Sequence, residues 1–93
     1  MPIGLLTLEI YIPDAHSLKD KRQVLRSLKD RLRARFNVAV AELDGQDAWQ
    51  RATVGVVTIS NNAGHLAQSL RTIFEESERV LGRDLVGHDL EML

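Results

Sequence analysis

The stretch SLKDKRQVLRSLKDRLRARF, residues 17–36, holds eight of the chain's twelve Lys and Arg residues but only two of its thirteen Asp and Glu residues. One fifth of a protein with a formal net charge of −1 therefore carries +6. Lys19, Arg22, Arg26, Lys29 and Arg33 recur at spacings of 3, 4, 3 and 4, which on a helix places them on one face. Lys21, Arg31 and Arg35 flank that face. Such a stripe is suited to holding anions, either the phosphates of RNA or the carboxylates of an acidic protein. Local helix energetics do not favour it. Like charges at these spacings cost about 0.2–0.5 kcal/mol per pair. Lys19, Lys21 and Arg22 lie in or near the first turn, where the macrodipole disfavours an exposed cation by about 0.3–1 kcal/mol. Arg33 and Arg35 sit at the favourable end. One internal counterweight is visible in EESE, where Glu75, Glu76 and Glu78 close a second helical segment. Antiparallel packing would bring them near the start of the first helix, at about 0–1 kcal/mol per exposed pair. Three glutamates cannot balance eight cations, so the stripe is expected to be exposed and only partly paired.

The remaining polar residues assemble no recognisable catalytic set. The chain has no Cys, hence no thiolate nucleophile or ligand and no disulfide framework. His16, His65 and His88 fall in a turn, an early helix position and a terminal strand, without metal-ligand spacing. Ser17 and Ser60 have no activating base nearby in sequence. NNAGH offers helix-terminal amides, but capping explains it more simply than anion binding. Glu42, Asp44, Asp47 and Trp49 cluster around a hairpin connection, where two carboxylates could act as acid and base. The simpler reading is that Asp47 caps a turn and Trp49 anchors the loop on the sheet edge. The expectation is a non-enzymatic protein with no catalytic residue, no cofactor and no metal. Aromatic residues are 4% of the chain, and RATVGVVTIS has none where an RNA-recognition motif stacks bases. A bound RNA would be held through phosphates and shape.

The elements that must position the stripe are legible. IGLLTLEIYI, 3–12, is β-branched and apolar and stops at Pro13, which predicts a strand. Ser17 is an N-cap, with Asp20 in the third helical position as a short capping box. Leu18, Leu25, Leu28, Leu32 and Phe36 form an apolar stripe, which predicts a helix over 18–35. FNVAVAEL and RATVGVVTIS, joined through Asp44-Gly45 and QDAWQ, predict a hairpin. Asn61 or Asn62 caps a second helix whose core stripe is Leu66, Leu70, Ile73, Phe74, Ser77 and Leu81, closed by Gly82. RDLVGHDLEML predicts a weaker final strand. The order β-α-β-β-α-β with right-handed crossovers gives an α+β fold, the ferredoxin-like plait. Its four-stranded antiparallel sheet has the order 4-1-3-2 and both helices on one face. The expected core is Leu8, Ile10, Leu25, Leu28, Leu32, Phe36, Leu66, Leu70, Ile73 and Phe74. The first and third strands are apolar on both parities, with Leu6, Leu8 and Ile10 against Leu5 and Tyr11, and Val54 and Val56 against Val57 and Ile59. A sheet wet on one face alternates more cleanly, so the open face is expected to be covered, most simply by a second copy in a homodimer.

Ninety-three residues predict a single domain, 1–93. The apolar start MPIGLLTLEIYIP has no basic leader and is shorter than a membrane span needs. Together with the missing Cys, this predicts a cytoplasmic protein with no membrane partner.

From HSLKDKR to VTISNN the chain resembles the YlxP-like family, small bacterial proteins of unknown function. SLKDKR, RFNVAVAE, the DAW turn and SNN before the second helix carry the resemblance most specifically. Ala39 stands where Ser is expected in many relatives, so no role for that hydroxyl is carried over. The resemblance implies a ferredoxin-like fold. It also implies an RNA or ribosome setting, by the association of such genes with those for translation initiation and ribosome maturation. It supplies no catalytic residue. Two functions of different classes follow: an RNA- or ribosome-associated factor using the basic helix, or an interaction module that meets an acidic protein or itself.

Overall fold

Two long strands bury at least every second residue, apolar residues recur at helical spacing in two helices, and these surfaces close on one another. In the computed structural model, which describes residues 2–93, the elements run β1 (Ile3–Tyr11), α1 (Leu18–Arg35), β2 (Ala39–Asp44), β3 (Arg51–Ile59), α2 (Ala63–Leu81) and β4 (Leu85–Met92). A 3-10 turn, Gly82–Asp84, links α2 to β4. The sheet is antiparallel in the order β2-β3-β1-β4, the expected 4-1-3-2 read from the other edge. β2 starts later than FNVAVAEL suggests. Phe36 and Val38 pack against the core from the connection rather than from the strand.

The register sets Leu6 opposite Val56 and Leu8 opposite Val54. With Ile10 and Ala52 they form the buried floor on which the helices rest. α1 supplies Leu28 and Leu32, and α2 supplies Leu66, Leu70, Ile73 and Leu81, all buried. Leu25, Phe36 and Phe74 are only partly buried at the margin of this core. Gly4 is where α2 comes closest to the sheet, and a Cβ there would collide with Leu70.

Side chains fix both helix starts. Ser17 Oγ accepts from the Asp20 amide at 3.0 Å, and Asp20 Oδ2 accepts from the His16 amide at 3.0 Å. The return bond of the expected capping box thus reaches one residue further back. Asn62 Oδ1 accepts from the His65 amide at 2.9 Å. Gly82 ends α2 at φ +56°, a backbone region that favours glycine.

Candidate functional site

The five cations of the stripe project from α1 without a salt bridge among the described residues. Lys19, Arg22, Arg26 and Arg33 are exposed and Lys29 is half-buried. None of them pairs with a carboxylate among the described residues. Arg22, Arg26 and Lys29 line a cleft of about 410 Å³ between α1 and the edge strand β2. Its floor is apolar, from Leu25, Val40 and Val54, and Asp30 and Glu42 contribute the acidic part of its wall.

The three flanking cations behave differently. Lys21 does not flank an exposed face; it is 1% exposed. Its Nζ donates to Glu42 Oε2 at 2.8 Å and to the Gly45 carbonyl at 2.7 Å, with longer contacts to the Gln46 and Arg51 carbonyls at 3.4 Å. The reason is helical phase. Lys21 is in step with Leu25, Leu28 and Leu32, and therefore points at the sheet. Glu42 shares a strand parity with the buried Val40 and meets it there. A strut thus ties the first turn of α1 to the β2–β3 connection, and a signal for it stood in the sequence as a Lys in the apolar phase.

Arg31 and Arg35, four residues apart, converge on Glu76. This carboxylate is 1% exposed and also receives Arg79. Arg31 and Arg79 donate at 2.9 Å. Burial alone would raise the Glu76 pKa. The Arg31 hydrogen bond, the Arg35 charge and the Arg79 hydrogen bond outweigh it and hold the carboxyl below its ordinary range. The expected counterweight is therefore one residue of the three, and it meets the end of α1, not the start. Glu75 and Glu78 are exposed and pair with no cation of α1.

The open face of the sheet is divided. At one end Ile3, Leu5, Val57 and Ile59 lie together with Ala39. Leu43, 52% exposed, folds over Gly55 on the same face. At the other end Thr53 Oγ1 donates to Glu9 Oε2 at 2.8 Å, and Tyr11 stands opposite Arg51.

The hairpin connection corrects a second expectation. Trp49 anchors nothing and is 55% exposed. Gln50 does the anchoring. Its carbonyl accepts from the Ile12 amide at 2.7 Å, and its Nε2 donates to the Pro13 and Ala15 carbonyls at 3.0 and 3.2 Å. The turn is capped by Asp44, whose Oδ1 accepts from the Gly45 amide at 2.8 Å; Gly45 has φ +86°. Asp47 makes no side-chain hydrogen bond to another described residue. With Glu42 committed to Lys21 and Asp44 to the turn, the carboxylates here do not converge as an acid–base pair. No three of the described His, Asp and Glu residues gather as metal ligands. His88 packs its ring on Phe74, centroids 4.1 Å apart. No described helix is long and apolar enough to cross a membrane.

Comparison with known proteins adds the following. A family profile described as protein of unknown function (DUF503) matches residues 3–86. An uncharacterised protein, YlxP of Bacillus subtilis, is 36% identical over 87 residues, which cover 87% of this chain and 95% of that protein. A de novo designed protein with a ferredoxin fold superposes with a TM-score of 0.55 at 8% identity, over 100% of this chain and 83% of the other. A dimeric ferredoxin-like protein of unknown function from Thermobifida fusca superposes with a TM-score of 0.51 at 14% identity, over 98% of this chain and 90% of the other. The two structural likenesses support the ferredoxin-like architecture.

Proposed function

We propose that this chain, which belongs to the DUF503 family of proteins of unknown function, is a non-enzymatic single-domain factor that binds a polyanion, RNA or the ribosome, along α1. The observation that carries this reading is the five cations of the stripe that have no salt bridge among the described residues, beside three on the same helix that are paired. Exposed like charges at helical spacing weaken a helix slightly, and a polyanion converts that cost into binding. A cytoplasmic setting goes with it. The test is affinity capture of the tagged protein from native bacterial lysate, with and without ribonuclease. RNA or ribosomal particles that copurify and vanish after nuclease support the reading. An acidic protein retained after nuclease, with no RNA in either sample, replaces it with a protein partner.

Self-association is a second reading, favoured by the apolar end of the open sheet face. Ile59 and Leu43 are 46% and 52% exposed there, beside Ile3, Leu5 and Val57. A face-to-face dimer would cover them and leave both basic stripes on the outside. Sedimentation at micromolar concentration should then show a dimer that Ile59→Asp dissociates. A monomer in the unmodified protein excludes it.

A further inference from the structure

The chain has two Phe, one Trp and one Tyr. Both Phe pack against the core, whereas Trp49 and Tyr11 are 55% and 42% exposed. They share one open recess of about 550 Å³ with His16 and Arg51. Aromatic rings contribute more than most side chains when buried. The fold leaves its one Trp and one Tyr in solvent at the same place. The support beneath them is firm, through the three hydrogen bonds of Gln50 and the β1–β3 pairing of Tyr11 with Arg51.

One residue of the recess, His16, leads directly into α1. His16 directly precedes the α1 cap, and Lys19 is the second residue of the helix. Lys21 holds the loop leading to Trp49 against that first turn. At 1.5 Å per residue the stripe runs about 21 Å from Lys19 to Arg33. Tyr11 and Arg51 lie on the open sheet face, so a strand that follows the stripe reaches the two rings by turning past His16 at the start of α1.

We propose that the Tyr11–Trp49 recess stacks an unpaired base of a single-stranded nucleic acid whose phosphates follow Lys19, Arg22, Arg26, Lys29 and Arg33. The proposal rests on the polyanion reading above and narrows the polyanion to a strand with accessible bases. Trp, Tyr and Arg planes all stack on base faces, and such stacking accepts any base because each has a π-face. His16 and Arg51 supply donors for a neighbouring phosphate or base edge. The faces of a duplex are already stacked, and an acidic peptide or inorganic polyphosphate has no nucleobase to offer.

Trp49 is the only Trp, so its emission reports on the recess alone. The intact protein is titrated at low salt with oligouridylate and with inorganic polyphosphate. Binding of each is followed independently, by anisotropy of labelled oligouridylate and by competition. Oligouridylate should quench Trp49, and polyphosphate should bind without quenching. Trp49→Ala should weaken oligouridylate binding about tenfold, the scale of one lost stacking contact, and leave polyphosphate competition unchanged. Tyr11→Ala should shift it in the same direction. Oligouridylate bound with unchanged Trp49 emission, and with equal affinity in Trp49→Ala, overturns the stacking site and leaves the polyanion reading standing. Quenching that persists undiminished in R26E/K29E supports the recess and removes the stripe. Failure of both oligouridylate and polyphosphate to bind overturns both.

Discussion

The cations of α1 divide into two groups that differ in what they face. Lys21 looks at the sheet, and Arg31 and Arg35 look at α2; each meets a carboxylate placed for it, Glu42 in one case and Glu76 in the other. Lys19, Arg22, Arg26, Lys29 and Arg33 look outward and meet none among the described residues. The difference teaches where this protein uses its acidic residues. Two carboxylates lock the helix in place, while Glu75 and Glu78 stay exposed without neutralising the stripe. Charge on the first group is internal architecture. Charge on the second remains available to a partner.

If that division is right, the largest stability effect belongs to Lys21. Lys21→Met keeps the length of the side chain but strands Glu42 and the Gly45 carbonyl. Urea unfolding should show a loss of about 3 kcal/mol, the lower end for breaking a buried pair, because Glu42 is 23% exposed. Adding Glu42→Leu should recover part of it, since removing both charges leaves less unpaired. A Lys21→Met protein as stable as the unmodified one would dissolve the distinction between the groups.

The Glu76 cluster should show its role through pH. Its carboxyl is held below the ordinary range, so its contribution is present above the unfolded carboxylate pKa and lost as pH falls through the lower folded value. Unfolding measured from neutral pH down through the carboxylate range should therefore separate the unmodified protein from Glu76→Gln at neutral pH. The two curves should converge in acid. A gap that stays constant with pH would mean that the charge of Glu76 is not what the three arginines recognise.

The outward cations should have the smallest effect on stability. R26E/K29E should change unfolding by no more than about 0.5 kcal/mol, the usual range for exposed substitutions. A loss of several kcal/mol would move these two residues into the structural group.

Much of this arrangement is legible in the sequence. Strand order follows from the βαββαβ sequence and right-handed crossovers, and the helix starts follow from Ser17 and the Asn61-Asn62 pair, because turn and cap chemistry acts over three or four residues. The stripe itself followed from its spacing. What sequence spacing did not resolve was the fate of each cation, because that depends on which residues of distant elements lie opposite. A stripe that starts at Leu18 sets Lys21 on its flank, although Lys21 is itself in phase with Leu25, Leu28 and Leu32 and is buried as the last two are. Antiparallel packing alone sets Glu76 near the start of α1; the stagger between the two helices, set by how their apolar side chains fit, brings it to Arg31 and Arg35 at the end. The anchoring expected of Trp49 falls to its neighbour Gln50, which makes the hydrogen bonds that hold the loop.

The most direct test of the outward group as a binding face is a salt titration of RNA affinity, run in parallel on the unmodified protein and on R26E/K29E. With about four stripe cations on the phosphates of a single strand, log affinity should fall against log salt with a slope near −3 in the unmodified protein, and nearer −4 on a duplex. The double reversal should abolish binding at moderate salt with the fold unchanged by circular dichroism. Exposed charges are screened beyond about 8 Å at physiological salt, so that loss would report contact at these residues. A shallow slope, or an equal affinity in the two proteins, would contradict it.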